Sequence, residues 1–181
     1  MSDADSIELP EWARVSENRR EHIARVVHLI GRWCDELALD AAEASAWRDA
    51  ARWHDVLRDA PEPELRALIP DSGLAASLLH GPAAALRLAQ NGEKRVHVLE
   101  AVRWHTVGWS QWARTGRALY MADYLEPGRS FSAMERELLA SIVPSRFDDV
   151  FRQVVKQRLE WSLREGKALF PETVDLWNSL R

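Results

Sequence analysis

Histidines and aspartates occur in this sequence where a helical protein could assemble a metal site. Four of the six histidines lie at or beside the end of a helical segment or a turn. The candidate ligands, in chain order, are His22, His54, Asp55, His80, His105 and Asp123. They offer four imidazoles and two carboxylates from five separate helical segments. Because facing helices build metal sites from inward-pointing side chains, this order predicts a shared metal centre.

Each candidate also has a simpler interpretation. Asp123 lies in the apolar run Ala118–Leu125, where an unpaired carboxylate would be costly to bury, so a metal or a cation is the expected partner. His22 follows charged residues and would otherwise be a surface histidine. His80 and His105 would otherwise interact with the dipole at a helix end. The metal interpretation accounts for all of them at once.

The other two histidines are predicted to be surface residues. His28 follows His22 by six positions and therefore points to another side of the same helix. His97 precedes His105 by about two turns, roughly 12 Å of helix rise, so the two cannot bind one ion.

The elements that must position these residues are helices. Apolar residues recur at three- and four-residue intervals over Ser16–Leu37, with Ser16 as the N-cap. Asp40 with Glu43 resembles a capping box that opens a helix from Ala41 to about Arg58. Further helices are predicted at Glu64–Leu68, Leu74–Leu79, Pro82–Gln90, Arg95–Thr106, Arg117–Tyr124, Ser132 (capped with Glu135) to near Pro144, Ser145–Glu165 and Pro171–Leu180.

The fold class that follows is all-α. No run alternates apolar and polar residues for long, and 181 residues suffice to bury the core of a single domain. We expect one domain over residues 1–181, with the metal-site core at about 16–130 and C-terminal helices at 132–181.

The composition of the chain limits which partners and which cellular compartment are expected. A net charge of −4 argues against a nucleic acid as the main partner, and no apolar run is long enough to span a membrane. Met1–Asp5 is acidic, so a signal peptide is not predicted. The single cysteine, Cys34, excludes an internal disulfide and should be a small core residue. These features predict a cytoplasmic protein.

Five ordered segments carry a resemblance to a known family. They are Arg20–His22, Trp53–Arg58, His80–Pro82, Ala101–Gly108 and Leu119–Arg129. Together they resemble the HD superfamily of metal-dependent phosphohydrolases, and within it the YqeK-type family of bacterial symmetrical diadenosine tetraphosphatases. The fifth segment is the most specific, being similar to the family's Ala-Asp-Tyr-x-Glu-Pro-x-Arg pattern. The tail Leu169–Leu180 is also similar.

Two features depart from the family pattern. Arg58 stands where the family commonly has lysine, so the phosphate contact there could differ. The tryptophans before His54 and His105 are the second departure, since they are not typical of the family.

The resemblance implies an HD-type helical bundle with two metal ions. The first ion would be bound by His22, His54, Asp55 and Asp123, and the second by His80, His105 and the bridging Asp55. Iron is the expected metal, with manganese, cobalt or magnesium as alternatives. The implied reaction splits diadenosine tetraphosphate into two ADP with a water held between the ions. The expected partner is a small nucleotide or dinucleotide, and a homodimer is left open.

The resemblance also implies groups around the metals. Phosphate contacts are expected from Arg58, Arg129 and Lys94. Asp59 would transfer a proton or orient a ligand, and Thr106 would bind a phosphate or support a ligand. Asp55, Arg58 and Asp59 are therefore the catalytic candidates.

Several residues keep two interpretations. Glu126 and Arg129 could form no more than a local ion pair. Trp109 and Trp112 could stack on adenine, although packing is the simpler role. The charge clusters Arg14–Arg25 and Glu160–Lys167 are interpreted as solvated helix faces.

Two other functions compete with the tetraphosphatase. One is a different HD nucleotide hydrolase, such as a nucleoside monophosphatase or a guanosine-tetraphosphate hydrolase; His80 and His105 favour a two-ion site and so argue against it. The other is a regulator that binds nucleotide without turning it over. The sequence argues against this function because a histidine or an aspartate occupies each of the six ligand positions.

Overall fold

Every regular element in the described part of the chain is helical, which confirms the predicted all-α class. The computed structural model describes residues 7–70, 72–129 and 131–181, so the acidic start Met1–Asp5 lies outside it. The helices are α1 (Glu17–Glu36), α2 (Ala41–Trp53), α3 (Glu62–Leu68), α4 (His80–Gln90), α5 (Val96–Trp104), α6 (Arg114–Leu125), α7 (Ala133–Ile142), α8 (Phe147–Arg164) and α9 (Pro171–Ser179), with a 3-10 turn at Ala76–Leu78.

The first two helices begin with the predicted caps. The Ser16 hydroxyl accepts a hydrogen bond from the backbone N–H of Arg19 at 3.4 Å. The Asp40 carboxylate accepts from the N–H of Glu43 at 2.8 Å. Each bond satisfies a backbone donor that the first turn of a helix leaves unpaired.

The predicted cap of α7 is wrong. Ser132 has φ 43° and ψ 43°, in the left-handed region, and its side chain makes no capping hydrogen bond. The segment before α7 is instead fixed by the buried side chain of Arg136, which donates to the carbonyl oxygens of Phe131 and Glu126 at 2.8 Å each.

Two helix boundaries near the site also differ from the prediction. Helix α2 ends at Trp53 rather than Arg58, and residues 54–59 form turns. The predicted helix Leu74–Leu79 is reduced to the 3-10 turn, and α4 begins at His80. Proline is tolerated in the first turn of a helix, where its missing N–H has no partner, so α4 can start two residues before Pro82.

The helices enclose two hydrophobic cores. Helix α6 packs against α1, α2, α5, α7 and α8 and is almost wholly buried. The larger core surrounds it and contains Trp33, Trp47 and Phe151. The smaller core joins the turn after α2 to α3, α4 and α5 through Val56 and Leu79. The segment that carries His54 and Asp55 therefore lies where the two cores meet.

Two expectations from composition can be compared with this fold. Cys34 is buried in the larger core, as predicted. Among the described residues, no helix combines the length and the apolar character that crossing a membrane requires.

Candidate metal centre

The six predicted ligands meet in the interior as two buried groups of three. His22, His54 and Asp123 form what we call the first triad, and Asp55, His80 and His105 form the second triad. Within each triad the three ligand atoms lie within 4.8 Å of one another. The other two histidines stay apart from both triads: His28 is exposed, as predicted, and His97 is partly exposed at the start of α5.

The ligands come from helix ends and from one turn. His22 is on α1 and Asp123 is near the end of α6. His80 is the first residue of α4, and His105 directly follows α5. His54 and Asp55 lie in the turn after α2, so the early end of that helix lets both side chains reach the centre.

Asp55 faces both triads with different oxygens. Its Oδ1 lies 3.3 Å from Nε2 of His80 and 3.2 Å from Nε2 of His105. Its Oδ2 lies 3.5 Å from Nε2 of His54 and 3.8 Å from Nε2 of His22. In the first triad, Nε2 of His22 is 3.2 Å from Oδ1 of Asp123. A carboxylate placed in this way can connect two adjacent cation sites.

Three of the four histidines have an acceptor beside Nδ1. Nδ1 of His54 lies 2.7 Å from the carbonyl oxygen of Ala51, and Nδ1 of His105 lies 2.8 Å from that of Val102. Nδ1 of His22 lies 3.2 Å from Oε1 of Glu126. Because a carbonyl oxygen or an ionised carboxylate only accepts, Nδ1 carries a proton in each of these rings, which leaves Nε2 as the atom that can bind a metal.

His80 is the exception among the four. The neighbour of its Nδ1 is Nη1 of Arg58, at 3.3 Å. The same Nη1 donates to the carbonyl oxygen of Ser77 at 3.0 Å. A guanidinium has donors only, so it cannot accept a proton from His80.

Glu126 is a buried supporting carboxylate whose role the sequence did not reveal. Its Oε2 accepts from Nε of Arg25 at 2.7 Å and from the N–H of Gly128 at 2.6 Å. Burial alone would raise its pKa, but the hydrogen bonds from His22, Arg25 and Gly128 lower the pKa of Glu126 to about 2. The ion pair with Arg129 is long, at 3.9 Å, and is secondary. The only sequence signal was a carboxylate three residues after Asp123.

Arginines surround the two ligand carboxylates. Nη1 of Arg19 is 2.7 Å from Oδ2 of Asp55, which corrects the interpretation of Arg14–Arg25 as a wholly solvated face. Asp123 receives Nη2 of Arg129 at 2.7 Å and Nη1 of Arg158, from α8, at 3.5 Å. Arg158 was not among the predicted site residues, and it is separated from Asp123 by 35 positions. Its place at the centre depends on how α8 packs on α6.

Electrostatics keeps the carboxylates ionised. Burial opposes this, yet neighbouring histidines hold the pKa of Asp55 well below its usual range. Likewise, His22 and the nearby arginines outweigh burial and hold down the pKa of Asp123. Burial lowers the pKa of His54 to about 4 and lowers that of His80. These two imidazoles are therefore neutral at pH 7, as metal ligands must be.

His22 behaves differently. Burial lowers its pKa, but hydrogen bonds to Asp123 and Glu126 and the charge of Asp55 raise it to about 9. A cation that binds His22 must therefore replace a proton, which couples binding to pH.

The predicted substrate contacts are only partly brought to the centre. Oγ1 of Thr106 lies 3.2 Å from Nε2 of His105. Asp59 is exposed, and its Oδ2 accepts from the N–H and the hydroxyl of Ser16 at 2.8 and 2.7 Å. Lys94 is not brought there: it is exposed before α5, while His105 follows that helix, roughly 15 Å away by helix rise.

Two cavities reach the centre. The larger, about 850 Å³, includes Thr106, Asp123, Arg129 and Arg158 and extends to Trp161 on α8. The smaller, about 410 Å³, is lined by residues that include Arg19, Arg58, Asp59, Ser77 and His80. Ser77 contributes to both linings.

The aromatic residues of the larger cavity are not the predicted ones. Trp109 stacks on Trp104 with ring centroids 4.9 Å apart, and Trp112 is buried, its Nε1 donating to the carbonyl oxygen of Glu100 at 3.1 Å. Packing is therefore the role the structure supports for both. Trp161 lines the cavity and is 44 % exposed. It belongs to the exposed cluster Glu160–Lys167, several members of which line the same cavity.

The donor set suits a transition metal. Imidazole and carboxylate groups are typical ligands of first-row transition-metal ions. All six candidate ligands are buried, and three of the imidazoles are oriented by an acceptor beside Nδ1. The residues present therefore fit divalent metal binding.

Comparisons with known proteins agree with this geometry. The HD domain family matches residues 19–128, a range that contains all six ligands. Symmetrical bis(5'-nucleosyl)-tetraphosphatases of Bacillus subtilis and Halalkalibacterium halodurans are 23% and 24% identical, each over 92% of this chain and 91% and 90% of their own length. The Staphylococcus aureus protein of the same name is 26% identical over 56% of this chain and 53% of its own length.

A solved structure has the same fold. It is an HD superfamily hydrolase from Clostridium acetobutylicum, described as involved in NAD metabolism, with a TM-score of 0.77 and 24% identity. The match covers 92% of this chain and 90% of that one. With the family match extending over more than half of the sequence, the chain belongs to the HD domain family of metal-dependent phosphohydrolases.

Proposed function

We propose that this protein hydrolyses diadenosine tetraphosphate symmetrically, giving two ADP. The position of Asp55, with one oxygen toward each triad, carries the proposal. It favours a pair of ions, which suits attack on a phosphoanhydride. The tetraphosphatase names of the relatives support the same substrate.

The first triad would hold one ion and the second triad the other, with Asp55 shared between them. Iron is the metal we propose, since imidazole and carboxylate ligands suit it, with manganese, cobalt and magnesium as alternatives. When bound, such ions lower the pKa of coordinated water and neutralise charge on phosphate oxygens.

The arginines would bind and orient the phosphate chain. Arg129 and Arg158 face the larger cavity beside Asp123, and Arg19 and Arg58 face the smaller one. Guanidinium groups match phosphate oxygens with paired donors, and their charge offsets that of the substrate. Thr106 adds a hydroxyl beside the second triad.

Two cavities fit a substrate that is cut in its middle. The larger volume is within the usual range for small-molecule sites, and Trp161 offers a surface for a base. The smaller cavity meets the centre at His80 and has space and cations for the other half of the chain. A monophosphatase would need only one of these cavities.

In the proposed reaction, water oxygen joins one of the two central phosphorus atoms. The bond from that phosphorus to the central bridging oxygen breaks, and the departing ADP keeps the bridging oxygen. Asp59, oriented by Ser16 in the lining of the smaller cavity, is the proposed group for moving a proton from water.

Product analysis tests the proposal. Manganese-loaded protein should convert diadenosine tetraphosphate to ADP alone. ATP with AMP would contradict symmetrical cleavage, and turnover of nucleoside monophosphates without the tetraphosphate would indicate another HD hydrolase. Asp55→Ala should lose at least about 100-fold in kcat, because it removes a ligand of both ions.

The matched control is His28→Ala. It removes an exposed histidine from the helix that carries His22 and should leave activity unchanged. If His54→Ala and Asp55→Ala retained parental turnover, the catalytic metal centre would be refuted.

A further inference from the structure

We infer that the two triads bind metal with unequal affinity, and that Arg58 makes the second triad the weaker one. The inference rests on the two-ion form of the proposed function. It concerns how the second ion is admitted, and it makes Arg58 a positioning residue that acts through His80.

The four imidazoles differ in what lies beside Nδ1, the ring nitrogen that faces away from the centre. A histidine that binds an ion through Nε2 must carry its proton on Nδ1. Nδ1 of His22, His54 and His105 each has an acceptor within 3.2 Å, so each of these rings can keep its Nδ1 proton while Nε2 binds an ion. Below pH 9, His22 must also release a proton from Nε2. Both histidines of the first triad belong to this group.

Among the residues that the structure describes, no acceptor lies beside Nδ1 of His80, which belongs to the second triad. Nη1 of Arg58 lies 3.3 Å from Nδ1 of His80. A hydrogen bond there has the guanidinium as donor, which leaves the proton of a neutral His80 on Nε2. Nε2 is the atom that points to Asp55 and His105. To bind an ion at Nε2, His80 must move its proton to Nδ1. The Nδ1–H of His80 and the Nη1–H of Arg58 then face each other as two donors without an acceptor between them.

The position of Arg58 provides a way to relieve this conflict. Its guanidinium is only partly buried, is held by the carbonyl oxygen of Ser77, and lines the smaller cavity. An anionic phosphate in that cavity can accept hydrogen bonds from the Arg58 guanidinium and draw this group away from His80. Phosphate and the second ion would then favour each other's binding, and such coupling is reciprocal.

The size of the effect follows from similar contacts. Loss of a partner that supports a metal-binding histidine typically lowers metal affinity by about 10–100-fold. We therefore expect the dissociation constants of the two ions to differ by at least about tenfold at pH 9, where the proton on His22 competes little with the first ion, in the absence of nucleotide.

Manganese titration of chelator-treated protein at pH 9, with Mn²⁺ as the only ligand, tests the inference and limits competition from the His22 proton. Calorimetry should resolve a tight step and a weak step, and His80→Ala should remove the weak one. Arg58→Met keeps an unbranched side chain and removes the donors, so it should strengthen the weak step by about tenfold and leave the tight step unchanged. Arg58→Gln, which offers an acceptor, should do the same and serves if the methionine variant folds poorly.

Arg19→Met is the matched control, because it also removes a positive charge near the centre but leaves the contact between Arg58 and His80 in place. Arg19 also donates to the centre, at 2.7 Å from Oδ2 of Asp55, but it does not contact His80 through a hydrogen bond. Removing it should strengthen the weak step less than Arg58→Met does. Equal gains from the two variants would assign the effect to charge alone and overturn the inference.

Two other outcomes separate a failure of this inference from a failure of the metal centre itself. Two equal steps in the parent protein, or a weak step that Arg58→Met and Arg58→Gln leave unchanged or lower, would overturn the inference and leave the proposed function standing. Failure to bind Mn²⁺ at all would contradict the metal centre itself.

Discussion

The support of His22 shows how single residues prepare this centre. Its Nδ1 faces Glu126, which in turn is fixed by Arg25 and by the backbone N–H of Gly128. The carboxylate thus sets the ring orientation and keeps Nε2 directed at Asp123. A chain of three contacts therefore controls one metal ligand.

The first prediction concerns this carboxylate. Glu126→Gln removes its charge and turns one of its oxygens into an amide donor facing Arg25 and Gly128. We expect the tight Mn²⁺ step to weaken by about 10–100-fold, as measured by calorimetry. Glu21→Gln is the control, since exposed Glu21 pairs with the same Arg25 at 3.7 Å. Unchanged binding in Glu126→Gln would remove Glu126 from the metal centre.

The second prediction concerns pH and follows from two opposite shifts. The pKa of Glu126 is lowered from 4.5 to about 2, so its stabilising effect is complete above pH 4.5 and is lost as pH falls toward 2. The pKa of His22 is raised from 6.5 to about 9. The protonated ring therefore stabilises the fold fully below pH 6.5, and this contribution to the free energy of unfolding is lost as the pH rises through 9.

Thermal unfolding in the presence of a chelator measures both effects. The Tm difference between the parent and Glu126→Gln should shrink as pH falls from 5 toward 2. The difference between the parent and His22→Gln should shrink as pH rises from 6.5 to above 9. A difference that stays constant over either range would show that the corresponding group does not titrate as described.

Residue types explain what the sequence could reveal at this scale. The six ligands were identifiable because buried histidines and aspartates are rare and their order matches a family pattern. Glu126 and Arg158 were not, because their roles depend on packing between segments 104 and 35 positions apart. Lys94 was an expected phosphate contact, but it precedes α5, whereas His105 follows the other end of that helix.

At the scale of elements, Gly81 controls the distance between α4 and α5. A Cβ added there would lie 2.8 Å from the carbonyl oxygen of Arg103, 3.0 Å from that of Val102 and 3.4 Å from Cε1 of His105. Backbone atoms cannot yield as a flexible side chain can. The absence of a side chain therefore lets His80 and His105 approach each other.

The third prediction is that Gly81→Ala separates these helices. We expect it to destabilise the protein by about 1–3 kcal/mol, as overpacking does, and to abolish the weak Mn²⁺ step. Chemical unfolding and calorimetry would measure the two effects.

Gly31→Ala is the control. Its added Cβ would meet only Nε of Arg48, at 3.8 Å, in the middle of α1, so it should stabilise by about 0.5–1 kcal/mol. Retention of the weak step in a well-folded Gly81→Ala variant would contradict the proposed role of helix spacing.

The end of α2 shows why an element boundary escaped the sequence pattern. The capping box at Asp40 and Glu43 marks where α2 begins, but it gives no signal for its end, and the helix was predicted to run to about Arg58. Val56 and Leu57 are apolar and lie within that range. In the fold both residues are buried in the smaller core, not along the face of α2. Hydrophobic periodicity does not tell which core an apolar residue enters, so it cannot locate a turn between two cores.

At the scale of the whole molecule, the C-terminal helices complete the site. Helix α8 supplies Arg158, which contacts Asp123 and donates to the carbonyl oxygen of Thr106 at 3.1 Å. It also supplies Trp161 to the larger cavity. The all-α fold was predictable from the sequence, whereas this closure of the site by α8 required the tertiary structure.

The fourth prediction concerns substrate binding by α8. Trp161→Ala should raise the KM for diadenosine tetraphosphate by about tenfold, because base stacking on an aromatic ring contributes about 1–3 kcal/mol. The kcat should change little, since Trp161 is not among the residues of the metal centre. Leu163→Ala is the control: Leu163 is 64% exposed on the same helix and does not line the cavity. Equal KM values for the two variants would place the base elsewhere.

Anomalous X-ray diffraction from manganese-loaded crystals would locate the ions themselves. We expect two anomalous peaks on either side of the Asp55 carboxylate, one among His22, His54 and Asp123 and the other among His80 and His105. A single peak at one triad, at a Mn²⁺ concentration that saturates both calorimetric steps, would contradict the two-ion centre. Peaks at other side chains would contradict the metal site as a whole.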